Sequence, residues 1–173
     1  MRIGLVSDSH GLLDAALPRL LARCDLILHA GDVVKPEVLA ALAAFAPVTA
    51  VRGNNDAAPA LARLPEAALV PLGLLTALVV HDLGARERPK PPAAGLIARR
   101  RPEIVVHGHS HRPGAAVIEG RLFVTPGSSG PRRFSLPRAA GILHVRGRRA
   151  RVELFDLAGP RPAPLGPPLE VTL

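Results

Sequence analysis

Apolar residues fall along the chain in short blocks, and the spacing inside the blocks changes from one part to the next. Arg2–Ser7 is an apolar run ending in Asp8-Ser9-His10-Gly11, the pattern of a buried strand entering a loop. Leucines recur at helical intervals over Leu12–Ala22, and Asp25–His29 is the next apolar run. Pro36–Ala44 then predicts a helix and Val48–Val51 a strand. Strand and helix alternating at ~20-residue intervals predict a parallel sheet with helices on its faces.

The rhythm then shifts. Ala67–Pro71 and Leu74–His81 flank Leu72-Gly73 and predict a hairpin, followed by a helix over Pro92–Arg101 and a strand over Glu103–His107. From residue 113 the pattern predicts strands only, over Gly114–Glu119, Arg121–Thr125, Ala140–Val145 and Arg149–Phe155. Glu119-Gly120 and Arg146-Gly147 supply hairpin turns. An alternating half followed by an antiparallel half predicts an α/β fold with two packed sheets and helices outside. The expected division is one domain over residues 1–157. A proline-rich tail, residues 158–173, runs extended on or beside it.

Composition narrows the chemistry. The 173 residues are 48% hydrophobic but only 2% aromatic, with no Trp or Tyr, so bases have almost nothing to stack on. The formal charge is +8, and Lys35 and Lys90 are the only lysines in a basic set that is otherwise arginine. Such a surface draws anions, phosphate esters and nucleic acids among them. Cys24 has no partner for a disulfide or a thiolate metal site, no signal-peptide pattern opens the chain, and no apolar run reaches the ~20 residues of a membrane span. A cytoplasmic location without membrane attachment is the expectation.

Five polar loop signals directly follow predicted strands: Asp8-Ser9-His10, Gly31-Asp32, Gly53-Asn54-Asn55-Asp56, His81-Asp82 and Gly108-His109-Ser110-His111. The carboxyl ends of strands are where α/β folds assemble sites. Every signal offers nitrogen or oxygen donors and none offers sulfur, a set suited to Mn, Fe, Zn, Ni or Co. In Asp8-x-His10 and His109-x-His111 an extended backbone would place both side chains on one side. About seven donors exceed the needs of one tetrahedral ion, whereas two divalent metal ions sharing a carboxylate would use them all.

These signals, in this order over roughly residues 1–155, resemble the calcineurin-like metallophosphoesterases, in particular their short bacterial and archaeal phosphodiesterases. Pro126-Gly127-Ser128 adds to the likeness. The resemblance implies a four-layer αββα sandwich of two packed mixed β-sheets with flanking helices and a dinuclear site at one edge. It places Asp8, His10, Asp32 and His111 on one metal and Asp32, Asn54, His81 and His109 on the other, Asp32 bridging. It implies a bridging hydroxide attacking phosphorus, with Asp32, Asn54 and His109 as the catalytic residues. Two departures stand out. Asn55 occupies a place where larger members carry an acidic His, and His81 is followed by Asp82 rather than Gly.

The remaining polar residues divide by position. Asn55 and Arg132, with Arg133 beside it, are candidates for contacting substrate. His29 is expected beneath the site, His107 and His144 are expected to be structural, and Asp56 to orient a neighbour or cap a turn. Arg52 is balanced between phosphate and a surface ion pair. The expected function is hydrolysis of a small phosphodiester, or a phosphomonoester, by a dinuclear-metal phosphodiesterase/phosphatase. A scaffold of the same fold, as in the retromer coat, and a nuclease are the alternatives. A nucleic-acid partner is possible but not favoured, since nucleases of that family usually carry longer chains with extra domains for gripping DNA and this chain has no obvious room for them. Assembly into a homo-oligomer through exposed strands is compatible with this reading.

Overall fold

A computed structural model describes residues 1–133 and 135–173. The first half runs β1 (Arg2–Val6), α1 (Leu17–Leu21), β2 (Leu26–His29), α2 (Pro36–Ala43), β3 (Val48–Ala50), β4 (Ala67–Leu72) and β5 (Leu75–Val80). Next come the two-residue β6 (Gly84–Ala85) and β7 (Arg88–Pro89), α3 (Ala93–Arg100) and β8 (Ile104–His107). The chain finishes with β9 (Gly114–Ile118), β10 (Arg121–Thr125), β11 (Ala139–Arg146), β12 (Arg149–Asp156), β13 (Ala163–Pro164) and β14 (Leu169–Thr172).

Two mixed sheets result. The larger has the order β13-β12-β11-β1-β2-β3 with β14 also on β12; the smaller has the order β4-β5-β8-β10-β9. β1, β2 and β3 are parallel in the first, as are β5, β8 and β10 in the second. The strands carry apolar side chains on both faces, and this builds the layers. Ile3, Leu5, Leu28, Ala77, Val79, Ile104, Val106 and Leu122 meet between the sheets. The alternate residues Val6, Ile27, Ala140 and Ile142 pack under α1 and α2, and Leu78, Val80, Val105 and Phe123 under α3. The layer order is αββα. α1 lies close on β1 because residue 4 is glycine: a Cβ there would stand 2.5 Å from Leu21 Cδ2.

Several elements differ from the sequence reading. The helix expected over Leu12–Ala22 is confined to Leu17–Leu21. Pro18 can only occupy a first helical turn, and Asp14 Oδ1 takes the Ala16 N–H at 2.8 Å, so the preceding residues form turns instead. Leu72 pairs with Leu75 and Arg146 with Arg149, so those turns are Gly73-Leu74 and Gly147-Arg148, one residue later than expected. Glu119-Gly120 turns as read, with φ of 49° and 72°. The tail does not simply run over the surface: β13 and β14 both pair with β12 and extend the larger sheet.

A candidate metal centre at the strand ends

The parallel strands of both sheets end at one pole, where their loops interlock. Asp8 N–H donates to Gly31 O at 2.9 Å, His10 N–H to Asp32 O at 3.0 Å and Gly11 N–H to Val33 O at 2.8 Å, tying the β1 loop to the β2 loop. Asp56 ties the β2 loop to the β3 loop: Oδ2 accepts from Asp32 N at 3.0 Å and Gly53 N at 2.7 Å, while Oδ1 accepts from Val34 N at 2.7 Å. The β10 loop closes the ring, with Ser128 Oγ donating to Asp8 O at 2.8 Å and Ser129 N to Ser7 O at 3.0 Å.

These ties hold unusual backbone. Asp8, His10, Asp32, His109 and His111 have φ of 51°, 46°, 57°, 66° and 56°. The left-handed region costs a non-glycine residue about 1–2 kcal/mol, and such strain gathers where surrounding structure enforces it. The Asp-x-His and His-x-His pairs therefore do not share a side by being extended, as the spacing suggested. They share it because left-handed residues turn both side chains inward.

The side chains converge. His111 Nε2 lies 3.2 Å from Asp8 Oδ1 and 3.3 Å from His10 Nε2. Asp32 Oδ2 is 3.9 Å from His10 Nε2, and its Oδ1 is 3.5 Å from His81 Nε2. Asn54 Oδ1 sits 3.0 Å from His81 Nε2 and 3.1 Å from His109 Nδ1. Donor atoms of Asp8, His10 and His111 lie within 4.8 Å of one another, as do those of Asp8, Asp32 and His81. His81 is close enough for this because residue 31 is glycine at φ 88°; a Cβ there would stand 2.7 Å from His81 Nδ1.

The polar bookkeeping at this pole suits a cation. Asp8 is wholly buried; its Oδ2 accepts from Ser7 Oγ at 2.6 Å and from His109 N at 3.1 Å, while Oδ1 is faced only by His111 Nε2 at 3.2 Å and has no donor in ideal hydrogen-bond geometry. An unsatisfied buried carboxylate oxygen is costly unless something positive faces it. His81 Nδ1 lies 2.7 Å from Ala30 O, which can only accept, so Nδ1 carries the proton. In neutral His81 the Nε2 lone pair then faces the Asn54 and Asp32 oxygens, a meeting of acceptors that a metal ion would resolve. Burial raises the Asp8 carboxyl, but the hydrogen bonds from His111 and Ser7 and the charge of His81 bring it below its ordinary value. His10 is pushed down, first by burial and then by the charge of Arg133.

The other polar residues named from sequence fall into place around this centre. Asn55 turns to Asp32, its N–H donating to Oδ1 at 2.8 Å and its Nδ2 to Oδ2 at 2.6 Å, and so aims that carboxylate. Arg132 is exposed, and it is the neighbouring Arg133 whose charge reaches His10. Asp82 is held by Lys90 at 2.7 Å and comes within 4.0 Å of His109 Nε2. Arg52 pairs with Glu66 at 2.6 Å. His29 lies beneath the β1 loop, 3.1 Å from Ser9 Oγ, and burial pushes it down to about 4. His107 is likewise pushed down to about 4 by burial and then by Arg86, whose Nε donates to it at 3.4 Å. Sequence reasoning passed over Ser7 and Ser129 and missed that Asp56 serves three backbone donors. The only local signal was Ser7 directly before the strand-end Asp8.

The sequence profile of the calcineurin-like phosphoesterase superfamily domain matches residues 1–148, and the chain belongs to that family. Among its relatives is the probable metallophosphoesterase YsnB of Bacillus subtilis, 30% identical over 165 residues, covering 92% of this chain and 93% of that one. Among solved structures, Vacuolar Protein Sorting 29 of Cryptosporidium parvum superposes with a TM-score of 0.83 at 20% identity, covering 99% and 98% of the two chains. The E. coli phosphoesterase Yfce superposes with a TM-score of 0.70 at 21% identity, covering 99% of each. At these identities the two structures establish likeness of fold. Among the described residues no helix is long and apolar enough to cross a membrane.

Proposed function

We propose that the chain is a metal-dependent phosphoesterase acting on small phosphodiesters, with phosphomonoesters as the neighbouring substrate class, at a dinuclear site. The observation that carries this reading is the placement of Asp32, whose two oxygens face His10 at 3.9 Å and His81 at 3.5 Å. One carboxylate so placed can serve two donor groups: Asp8, His10 and His111 on one side, and Asn54, His81 and His109 on the other. Two divalent ions of the Mn, Fe, Zn, Ni or Co type would supply a nucleophile from water at neutral pH and offset charge on the phosphoryl oxygens.

The chain's own residues do the positioning. Asn55 fixes the Asp32 carboxylate through two hydrogen bonds, and the Ala30 carbonyl fixes the His81 ring. Arg133 contributes positive charge beside His10, where an anionic ester would enter. A cavity of about 440 Å³ adjoins Asn54, His81 and His109 and is walled by Arg52, Asp82 and Pro92. That volume suits one small ester substituent. Asn55 has no acidic proton to give a leaving group, so esters with good leaving groups are favoured. The alternative of a non-catalytic scaffold rests on fold likeness to Vacuolar Protein Sorting 29 alone.

The test is hydrolysis of bis(p-nitrophenyl) phosphate beside p-nitrophenyl phosphate, on metal-stripped protein with Mn²⁺ restored. The expected result is metal-dependent turnover with preference for the diester. In Asp32→Ala, bound metal and turnover should fall together, turnover on the order of 10³-fold, equivalent to ~4 kcal/mol. Unchanged turnover in that variant would remove the shared carboxylate from the mechanism. Absence of turnover with Mn²⁺, Ni²⁺, Co²⁺ and Zn²⁺ despite bound metal would favour the scaffold.

A further inference from the structure

At the pole opposite the metal centre, the turn between β11 and β12 carries an arginine cluster that the phosphoesterase reading does not use. Four of the six residues 146–151 are arginine: Arg146, Arg148, Arg149 and Arg151. The pairing register places Arg146 directly opposite Arg149, and His144 opposite both Arg2 and Arg151. Leu143, Val145, Ala150 and Val152 point between the sheets, so the alternate residues His144, Arg146, Arg149 and Arg151 share the outer face. α1 and α2 cover Ala140 and Ile142 on that face and leave the turn end open.

Not all of this charge is free. Arg151 is held by Glu153 at 2.9 Å and by Glu170 at 3.0 Å, His144 lies 3.3 Å from Glu153, and Arg148 reaches Glu103 at 3.8 Å. Arg2 donates through Nη1 to Leu20 O at 3.0 Å, and Asp25 takes its backbone N–H at 2.7 Å. Arg146 and Arg149 are exposed and have no carboxylate within 4.0 Å among the described residues. Like charges directly opposite on neighbouring strands destabilise a sheet. A pair that lacks acidic relief in the fold is best satisfied by an anion from outside. The surface between these residues is hollow, about 890 Å³, and its walls carry Arg2, Arg146, Arg149 and Arg151 against the two carboxylates Asp25 and Glu170.

We propose that this face binds the phosphate backbone of nucleic acid without regard to sequence. Three features select that ligand over a single small anion. Arg146, Arg148 and Arg149 are exposed rather than converging on one buried point. Arg146 and Arg149 form one open row across the ribbon, flanked by Arg148 in the turn and, one row or roughly 6–7 Å further along, by the glutamate-held Arg151, so the positive surface is extended rather than a point. With no Trp or Tyr in the chain, stacking on bases contributes little and the contact is with phosphates. The surface is independent of the metal centre: it lies beside the N-terminal end of β1, whose other end leads to Asp8.

The experiment is fluorescence anisotropy of a labelled 20-base-pair DNA duplex with the full chain, titrated from 50 to 200 mM salt, with and without EDTA. Affinity should fall with salt along a log–log slope of about −3, corresponding to three or four phosphate contacts, and EDTA should change nothing. Arg146→Thr combined with Arg149→Thr should shrink the slope by about 2 units. A control carrying Arg63→Thr and Arg161→Thr, with the same loss of net charge on other exposed positions, should keep the parent slope. Urea midpoints confirm that each variant is folded. The proposal fails if the two double variants behave alike, if the duplex does not bind at 50 mM salt, or if EDTA releases it. It also fails if micromolar tripolyphosphate displaces the duplex, which would make the ligand a small polyphosphate.

Discussion

At the carboxyl ends of β1, β2 and β5 the chain buries Asp8, Asp32 and His81, and the loops after β1, β2 and β8 hold left-handed backbone. At the β11–β12 turn it displays arginines on regular strand, open to water. The two poles lie at opposite ends of the larger sheet and differ in how charge is held. At the metal pole the carboxylates are oriented by partners on other loops: Asp32 by Asn55, Asp8 by the His109 N–H, and the loops themselves by Asp56. The arginine pole leaves Arg146 and Arg149 to the solvent. Chemistry at a fixed point requires groups withdrawn from water and preorganised, at a cost in strain and desolvation. Attraction of a polyanion requires only charge on an accessible surface, and the fold bears little of that load.

Substitutions should therefore cost much at one pole and almost nothing at the other. The largest stability effect is expected for Asp56→Ala, which removes the carboxylate serving the backbone N–H groups of Asp32, Gly53 and Val34. Hydrogen bonds to a charged group contribute about 1.5–3 kcal/mol each but are not additive, so a loss of about 3–5 kcal/mol is expected in urea unfolding. A loss below about 1 kcal/mol would mean that the loops keep their shape without this anchor.

Acid should act on the same pole through His29. Its native value near 4 lies below the ordinary 6.5, so between those pH values the unfolded chain binds the proton and the folded chain does not. Its contribution is intact above pH 6.5, declines as pH falls, and the loss reaches about 3 kcal/mol by pH 4. His29→Gln should flatten this part of the stability-versus-pH curve of the metal-free protein. An equally steep fall in parent and variant would assign the acid sensitivity elsewhere. The smallest effect is expected at the arginine pole, where Arg146→Thr with Arg149→Thr should leave stability within about 0.5 kcal/mol or raise it, since a like-charged pair becomes a neutral one. A loss above about 2 kcal/mol would show that these arginines support the hairpin, removing the contrast between the poles.

Much of this architecture was legible in local patterns. Apolar runs such as Ile104–Val106 and Leu122–Val124 become strands buried on both faces, and the strand-end signals Asp8-x-His10, Gly31-Asp32 and Gly108-His109-x-His111 lie together at one pole. Such features survive because strand propensity and two-sided burial are written in adjacent residues. The helix over residues 12–22 was overread because leucine spacing took no account of Pro18 and the Asp14 turn. The tail was underread because prolines mask strands that form only when β12 offers them an edge.

By itself, then, the sequence determined which donor types stand at the strand ends, in what order, and that two sheets would enclose an aliphatic core. Tertiary structure alone decided how those donors are aimed. The left-handed backbone at Asp8, His10, Asp32, His109 and His111 and the turning of Asn55 onto Asp32 depend on other loops. The reason is physical: the hydrogen bonds that impose this geometry join residues such as Ser9 to His29, 20 positions apart, and Ser128 to Asp8, 120 apart. No window of neighbouring residues contains both partners.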